Sequence, residues 1–182
     1  MSLLKSNRKL FTVFTLGLIM SLIGIIPVYA YNLTGYKWPS STIKYYYDNY
    51  NSSRGKSYIS SGASAWNGTD ATYSFNASYN IYASEVSMPN VEWDGLTQGT
   101  ASGSYYNSLT ISLNMAKTQT WNSDGALKSV SVHEFGHGLG LHENGTTKTI
   151  MNAYTWGTNS RYGGYGLTTP QTDDINGANS IY

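Results

Sequence analysis

Two histidines four residues apart, with a glutamate directly after the first, constrain this chain more than any other feature. They lie in residues 133–143 (HEFGHGLGLHE), which hold all three histidines of the chain. Side chains at positions i and i+4 lie on one face of an α-helix, so His133 and His137 can bind a single metal ion. The fold must therefore present one face of a helix to an open cavity.

The chemistry implied by this pattern is amide hydrolysis at one catalytic Zn²⁺. Zinc accepts neutral imidazole nitrogens, and with three protein ligands it keeps a fourth position for water, whose pKa falls from 15.7 to about 7. Glu134 is turned about a quarter of the way round the helix from His133, which places its carboxylate beside the ion. It can accept the proton of the attacking water and return it to the leaving amine. A solvent-facing helix turn with these residues by coincidence is the less favoured interpretation, because the motif is specific.

The N-terminal segment is typical of a secretory signal peptide. It has a positively charged start and an apolar run over residues 10–26, and Val28-Tyr29-Ala30 offers small residues at the two positions that a signal peptidase inspects, so cleavage is expected after Ala30. The alternative is an uncleaved membrane anchor, which the run is barely long enough to form. Pro27 and the small residues favour cleavage, so we predict a signal peptide over residues 1–30 and a secreted, extracellular domain over residues 31–182.

The charge and cysteine content of that domain exclude some classes of binding partner and metal ligand. Residues 31–182 contain eight Lys and Arg against ten Asp and Glu, a net charge of −2. The sequence contains no cluster of basic residues of the kind that would indicate nucleic-acid binding. Because cysteine is absent, neither a disulfide nor a thiolate metal ligand is available. We expect a monomer that binds a protein or peptide substrate, without nucleic acid and without membrane once the signal peptide is removed.

Local patterns predict strands and helices in mixed order. Strands are predicted at residues 42–47, 72–75, 81–86 and 109–113, with turns at 93–95 and 99–101. A helix is predicted over residues 57–66, and a terminal helix is predicted to begin near Thr172. The helix with the histidines is expected to begin at Ser123 or Asp124 and to end at Gly140. Gly136 and Gly138 inside this helix suggest that another backbone passes close to it.

The chain resembles the metzincin zinc endopeptidases, and most of all the bacterial matrixin-like branch of the peptidase M10 type. The pattern of that branch is HExxHxxGxxH followed by a methionine turn. His133, Glu134, His137 and Gly140 match it residue by residue, and Met151 lies where the methionine of the turn is expected. The resemblance covers residues 36–182.

The resemblance implies an α+β chain with α/β-like layers, the zincin or metzincin fold. Expected features are a twisted mixed sheet with an antiparallel edge strand, two long helices, and a small C-terminal subdomain with a terminal helix. Substrate would pair with the edge strand, expected at residues 109–114 (LTISLN). Residues 152–168 would line the pocket for the side chain after the scissile bond. Ca²⁺ is compatible with the resemblance as a second ion, but the sequence assigns no ligands to it.

One departure from the pattern concerns the third zinc ligand. The spacing from His133 to Met151 equals that of matrixins, so an alignment without gaps places Glu143 at the ligand position. Imidazole is the ligand of the family, however, and His142 lies one residue earlier. Neighbouring side chains of an extended segment point to opposite sides, so one of the two is expected to bind. His142 is favoured on ligand chemistry, with Glu143 as the alternative.

The sequence therefore predicts a secreted zinc metalloendopeptidase with Glu134 as general base and acid. A non-catalytic zinc-binding or adhesive module on a degenerate metzincin scaffold is the alternative, motivated by the unusual third ligand. A surface protein that uses its tyrosines for binding is a third interpretation. Tyr154 follows Met151 by three residues, whereas the oxyanion-stabilising tyrosine of some metzincins follows by two. A packing or pocket-wall role is therefore favoured for Tyr154.

Overall fold

The structure, a computed structural model, describes residues 31–182. The predicted signal peptide lies outside the described residues. Within the described residues, no helix is both long enough and apolar enough to cross a membrane.

A five-stranded mixed sheet forms one layer of the fold. Its strands are β2 (Thr42–Tyr46), β3 (Thr72–Phe75), β4 (Ile81–Val86), β5 (Gly95–Ser102) and β6 (Tyr105–Asn114), while the short β1 (Asn32–Leu33) lies outside this sheet. Their spatial order is β3-β2-β4-β6-β5, and β5 is antiparallel to β6 whereas the other neighbours are parallel. The predicted mixed sheet with an antiparallel edge strand is thus confirmed.

The identity of the edge strand differs from the prediction. Residues 109–114 belong to β6, which lies between β4 and β5, so the prediction that they form the edge is wrong. The edge is β5, whose residues were expected to form two turns. Its glycines explain the difference: a Cβ at Gly95 would come within 2.7 Å of Glu134 Oε1, and one at Gly99 would overlap the carbonyl oxygen of Ser108. Val130 and Glu134 of the histidine-bearing helix leave no space for a side chain at Gly95, and β6 leaves none at Gly99.

Four helices are described, and two of them are long. They are α1 (Ser53–Ser64), α2 (Thr118–Trp121), α3 (Asp124–Leu139) and α4 (Thr172–Asn179). Helix α1 begins four residues before the predicted start. The side chain of Ser52 accepts a hydrogen bond from Gly55 N at 3.0 Å, and the carboxylate of Glu85 accepts from both the amide and the hydroxyl of Ser52. The cap depends on a residue of β4, which the local sequence does not indicate.

Helix α3 is buried on nearly all sides, and aromatic donors fix its position. Trp38 Nε1 donates to Gly138 O at 2.8 Å, Trp66 Nε1 to Val132 O at 2.8 Å, and the Tyr73 hydroxyl to Phe135 O at 2.6 Å. The carbonyls of Val132 and Phe135 accept with a lone pair that the helix does not use, and Gly138 O lies in the last turn, where the helix itself provides no donor. The helix that carries the histidines is therefore held rigidly against the core.

Gly136 and Gly138 of α3 make room for side chains. A Cβ at Gly136 would overlap Met151 Sδ and lie 2.8 Å from Trp66 Cζ2, and one at Gly138 would overlap the hydroxyl of Tyr73. The expectation of close packing is confirmed, although the neighbouring groups are side chains and not the backbone of another segment.

Candidate metal centre

His133 and His137 project from the last turns of α3. Ser123 caps the start of the helix by accepting from Ala126 N at 3.3 Å, and Gly140 ends it with φ of 105°. This left-handed conformation favours glycine. The two rings meet at right angles, and their Nε2 atoms are 3.1 Å apart. The helix thus directs two potential donor atoms to one point, as the sequence spacing predicts.

The outer nitrogens of both rings are taken up by backbone carbonyls. His133 Nδ1 lies 2.9 Å from Ile150 O, and His137 Nδ1 lies 2.9 Å from Leu141 O. A carbonyl oxygen only accepts hydrogen bonds, so each Nδ1 carries the proton and each Nε2 exposes a lone pair. Two lone pairs that face each other at 3.1 Å repel, and a cation between them removes the repulsion. Tetrahedral zinc–nitrogen bonds would separate the two nitrogens by about 3.3 Å, so the pair fits this ion.

The protonation state of His133 also suits a metal ligand. Burial lowers the pKa of His133 well below its ordinary value, and the nearby Arg161 and His137 lower it further. The imidazole is therefore neutral at physiological pH, as metal binding requires.

The third candidate donor in the structure is Glu143. One nitrogen each of His133 and His137 and a carboxylate oxygen of Glu143 lie within 4.8 Å of one another. Glu143 is exposed, so its carboxylate can adjust to an ion. Two imidazoles, one carboxylate and an open position form one of the donor sets that catalytic zinc uses. His133, His137 and Glu143 could therefore bind a metal.

His142, the ligand favoured from sequence, lies outside this group. It is exposed, and its Nδ1 is 3.4 Å from Glu143 O. Strand β7 (Leu141–His142) pairs antiparallel with β1 (Asn32–Leu33), and Asn32 Nδ2 donates to Glu143 O at 2.9 Å. Of these two neighbours, Glu143 is the one whose donor atom lies within 4.8 Å of the nitrogens of His133 and His137. The structure thus brings the alternative ligand to the two histidines.

Glu134 lies beside the histidines with only 3% of its surface exposed. Thr97 of β5 contacts it twice, since Oγ1 lies 2.8 Å from Glu134 Oε2 and 3.0 Å from Glu134 O. Burial raises the pKa of Glu134, while the charge of His137, the Thr97 hydrogen bond and the charge of Arg161 partly offset this increase. A carboxylate with a raised pKa is suited to accept and return a proton near neutral pH.

The Met151 side chain fills the space that Gly136 leaves open in α3, one residue before His137. The carboxylate of the buried Asp174, in α4, accepts hydrogen bonds from the amides of Ile150 at 2.8 Å and Met151 at 3.2 Å. The carbonyl of Ile150 in turn holds the ring of His133. Helix α4 therefore orients a histidine through the methionine turn, in addition to packing against the core.

His133, Glu134, His137 and Glu143 face one cavity of about 810 Å³, which His142 also lines. Strand β5 forms one wall, and residues 153–156 together with Arg161 form another. Tyr154 lies in this second wall with 59% of its surface exposed. The cavity places the edge strand, Glu134 and the metal-binding group within reach of one extended ligand.

Comparison with known families accounts for this combination of motif and fold. The family model described as matrixin, of the peptidase M10 group, matches residues 37–182. The chain belongs to the matrixin family. Membership suggests zinc metalloprotease activity and implies protein or peptide substrates for this matrixin.

Other comparisons are more distant. No curated protein matches this matrixin significantly. Among solved structures, one titled "GM1 bound form of the ECX AB5 holotoxin" is similar, with a TM-score of 0.56 and 14% sequence identity. The match covers 78% of this chain and 80% of that chain. At this identity the similarity concerns the fold alone.

Three residues of this matrixin that contact or line the candidate site were not predicted from its sequence. Thr97 lies in a segment expected to contain turns, and Asp174 lies in the predicted terminal helix without an assigned role. Arg161 lies in the predicted pocket loop, but nothing in the sequence shows that it is buried. In each case the role depends on a contact with a residue distant along the chain.

Proposed function

We propose that this matrixin is a secreted, zinc-dependent endopeptidase that acts after removal of residues 1–30. The observation that carries the proposal is the convergence of three potential metal donors with a buried carboxylate in one open cavity. His133, His137 and Glu143 would hold the ion, and Glu134 would transfer protons.

The zinc, when bound, would supply Lewis acidity that polarises a peptide carbonyl and makes water a stronger acid. A glutamate as third ligand carries a negative charge that an imidazole would not, so the ion would be less electrophilic than one held by three histidines. His142 would then remain free at the rim of the site.

Glu134 is the proton carrier of the proposed reaction. It would accept a proton from the attacking water and deliver it to the leaving amine, so that the carboxylate is regenerated when the products leave. Thr97 restrains the Glu134 carboxylate through Oε2, and the absence of a side chain at Gly95 leaves space for Oε1. These two residues of β5 fix the direction in which the base points.

The substrate would bind as an extended peptide along β5. This strand is the last of the sheet in the described residues, so the backbone groups on its outer side are available to a further strand. The same strand contacts Glu134 through Thr97. A peptide paired with β5 therefore passes directly across the proposed catalytic groups.

Replacing Glu134 by Gln tests the catalytic role. The variant should retain one zinc per chain and lose casein and peptide hydrolysis, because an amide accepts no proton at neutral pH. Elemental analysis and peptidase assays, each with and without chelator, provide the two measurements. Substantial hydrolysis by the variant would contradict the role of Glu134, and zinc binding without hydrolysis by the wild type would favour the non-catalytic module.

Paired alanine variants test the third ligand. Glu143→Ala should weaken zinc binding about 10-fold or more, whereas His142→Ala should leave it unchanged. Competition with a fluorescent chelator measures both affinities. The reverse result would assign the third ligand to His142. For the secreted state, N-terminal sequencing of exported protein should give a chain that begins at Tyr31.

A further inference from the structure

Arg161 is a buried cation in the wall of the cavity. Only 3% of its surface is exposed, and it lines the same space as Glu134 and the two histidines. No carboxylate oxygen of the described residues lies within 4.0 Å of its guanidinium. The ion pair that the described residues do contain joins Arg54 to Asp124 and does not involve Arg161. A charge removed from water in this way lacks a counter-ion in contact with it.

The guanidinium has unused hydrogen-bonding capacity. Nη1 donates to Asn152 O at 2.9 Å and Nη2 donates to Thr155 Oγ1 at 2.7 Å, while Nε has no partner. A guanidinium offers five N–H groups in a planar fork that matches a carboxylate. Two of the five are used, and both hold the loop that forms this wall of the cavity.

The acids nearest to Arg161 are engaged elsewhere. Burial lowers the pKa of Arg161 to about 10, and the charges of Glu134, Asp94 and Glu143 act in the opposite direction. Glu134 accepts from Thr97, Asp94 accepts from Thr120 at 2.7 Å, and Glu143 belongs to the metal-binding group. Bound zinc would add further positive charge to the cavity. The wall at Arg161 therefore remains attractive to an anion.

We propose that Arg161 selects substrates with a carboxylate side chain, Asp or Glu, next to the scissile bond. The proposal rests on the endopeptidase function proposed above and adds the substrate class. The carboxylate would bind the guanidinium from the cavity side, where the planar fork offers N–H groups that the loop does not use. An uncharged side chain in the same place would leave the buried cation without a partner.

Matched peptides test the proposal. Two peptides, acetylated and amidated at their ends, should differ only by Glu or Gln at one residue adjoining the scissile bond, with each side of the bond tested in turn. We expect kcat/KM for the wild type to be about 10-fold or more higher with Glu on one side, the usual size of a charge-assisted hydrogen bond. A ratio near 1 on both sides would overturn the proposal while leaving the endopeptidase function intact.

The ratio of kcat/KM for the Glu peptide to kcat/KM for the Gln peptide also tests the role of Arg161 itself. Arg161→Met should lower the ratio to about 1 or less, and Arg161→Lys should give an intermediate value. Arg54→Met, which removes an arginine outside the cavity, should keep the wild-type ratio. Because both peptides meet the same preparation, the ratio does not depend on how much of a variant folds. An unchanged ratio in Arg161→Met would refute the assignment.

Two additional arms separate related outcomes. A Gln peptide with a free C-terminal carboxylate beside the scissile bond offers the same charge; if it is cleaved faster than the Glu peptide, the side-chain proposal fails.

Calorimetric titration of the zinc-loaded Glu134→Gln variant measures peptide binding without turnover. Tighter binding of the Glu peptide supports the proposal even if the wild type proves inactive, and equal or absent binding overturns it.

Discussion

Thr97→Val tests whether the edge strand positions the catalytic carboxylate. Valine has nearly the shape of threonine and suits a strand, so the substitution removes little beyond the hydroxyl. That hydroxyl has one proton, which it shares between Glu134 Oε2 at 2.8 Å and Glu134 O at 3.0 Å. The variant therefore leaves a buried carboxylate without its side-chain donor.

The expected magnitude follows from the type of hydrogen bond that is lost. A hydrogen bond to a charged group contributes about 1.5–3 kcal/mol, which corresponds to a factor of about 10–100 in rate if the whole contribution is needed in the transition state. The same loss destabilises the ionised form of Glu134 and raises its pKa. Since the unprotonated carboxylate is the base, the acid limb of the kcat/KM profile should move to higher pH, by about one unit for each 1.36 kcal/mol lost.

The assay compares kcat/KM for one peptide across pH, with zinc content measured on the same preparations. Thr97→Val should keep one zinc per chain, lose about 10-fold or more in kcat/KM at neutral pH, and show the shifted acid limb. Thr72→Val, an exposed position on β3 at the opposite edge of the sheet, is the matched control and should stay within about two-fold of the wild type. A wild-type rate and acid limb in Thr97→Val would refute the positioning role.

Two further substitutions test the support beneath the site. Gly136→Ala should lower the free energy of unfolding in urea, because an overpacking cost of about 1–3 kcal/mol against Trp66 and Met151 outweighs the helix-propensity gain of about 1 kcal/mol. A more stable variant would show that the methionine side chain moves aside without cost. Asp174→Asn should weaken zinc binding and lower the free energy of unfolding by about 1–3 kcal/mol, since the turn whose carbonyl orients His133 loses a charged acceptor. Zinc affinity equal to that of the wild type would contradict this link.

The parts of the fold that were predictable from sequence rest on local signals. The i and i+4 histidines, the serine cap and the left-handed Gly140 define α3 within a short segment, and the structure contains this helix with the expected bounds. The strands at residues 72–75 and 81–86 likewise have the predicted bounds, because β-branched and aromatic residues cluster there between polar turn residues.

The parts that could not be predicted depend on contacts between distant residues. Strand β5 contains two glycines and small polar residues around them, a composition typical of turns. It forms a strand because β6 offers it a complete antiparallel partner and because α3 leaves no space for larger side chains at Gly95. The sequence therefore favours the more apolar neighbour, residues 109–114, as the edge strand, although this apolar pattern suits the inner position that the segment occupies between β4 and β5.

Backbone pairing determines which of the two candidate third ligands, His142 or Glu143, lies near the two histidines in the structure. Considered alone, the histidine is the better match to the family. The register of β7 is fixed, however, by the pairing of Asn32 with His142 and by the hydrogen bond from Asn32 Nδ2 to Glu143 O. A shift of one residue would bring His142 inward but would turn every side chain of this short ladder to the other face, including the fully buried Leu141. Exposing that leucine would cost about 2 kcal/mol, so the register that keeps Leu141 in the core also places Glu143 near the two histidines.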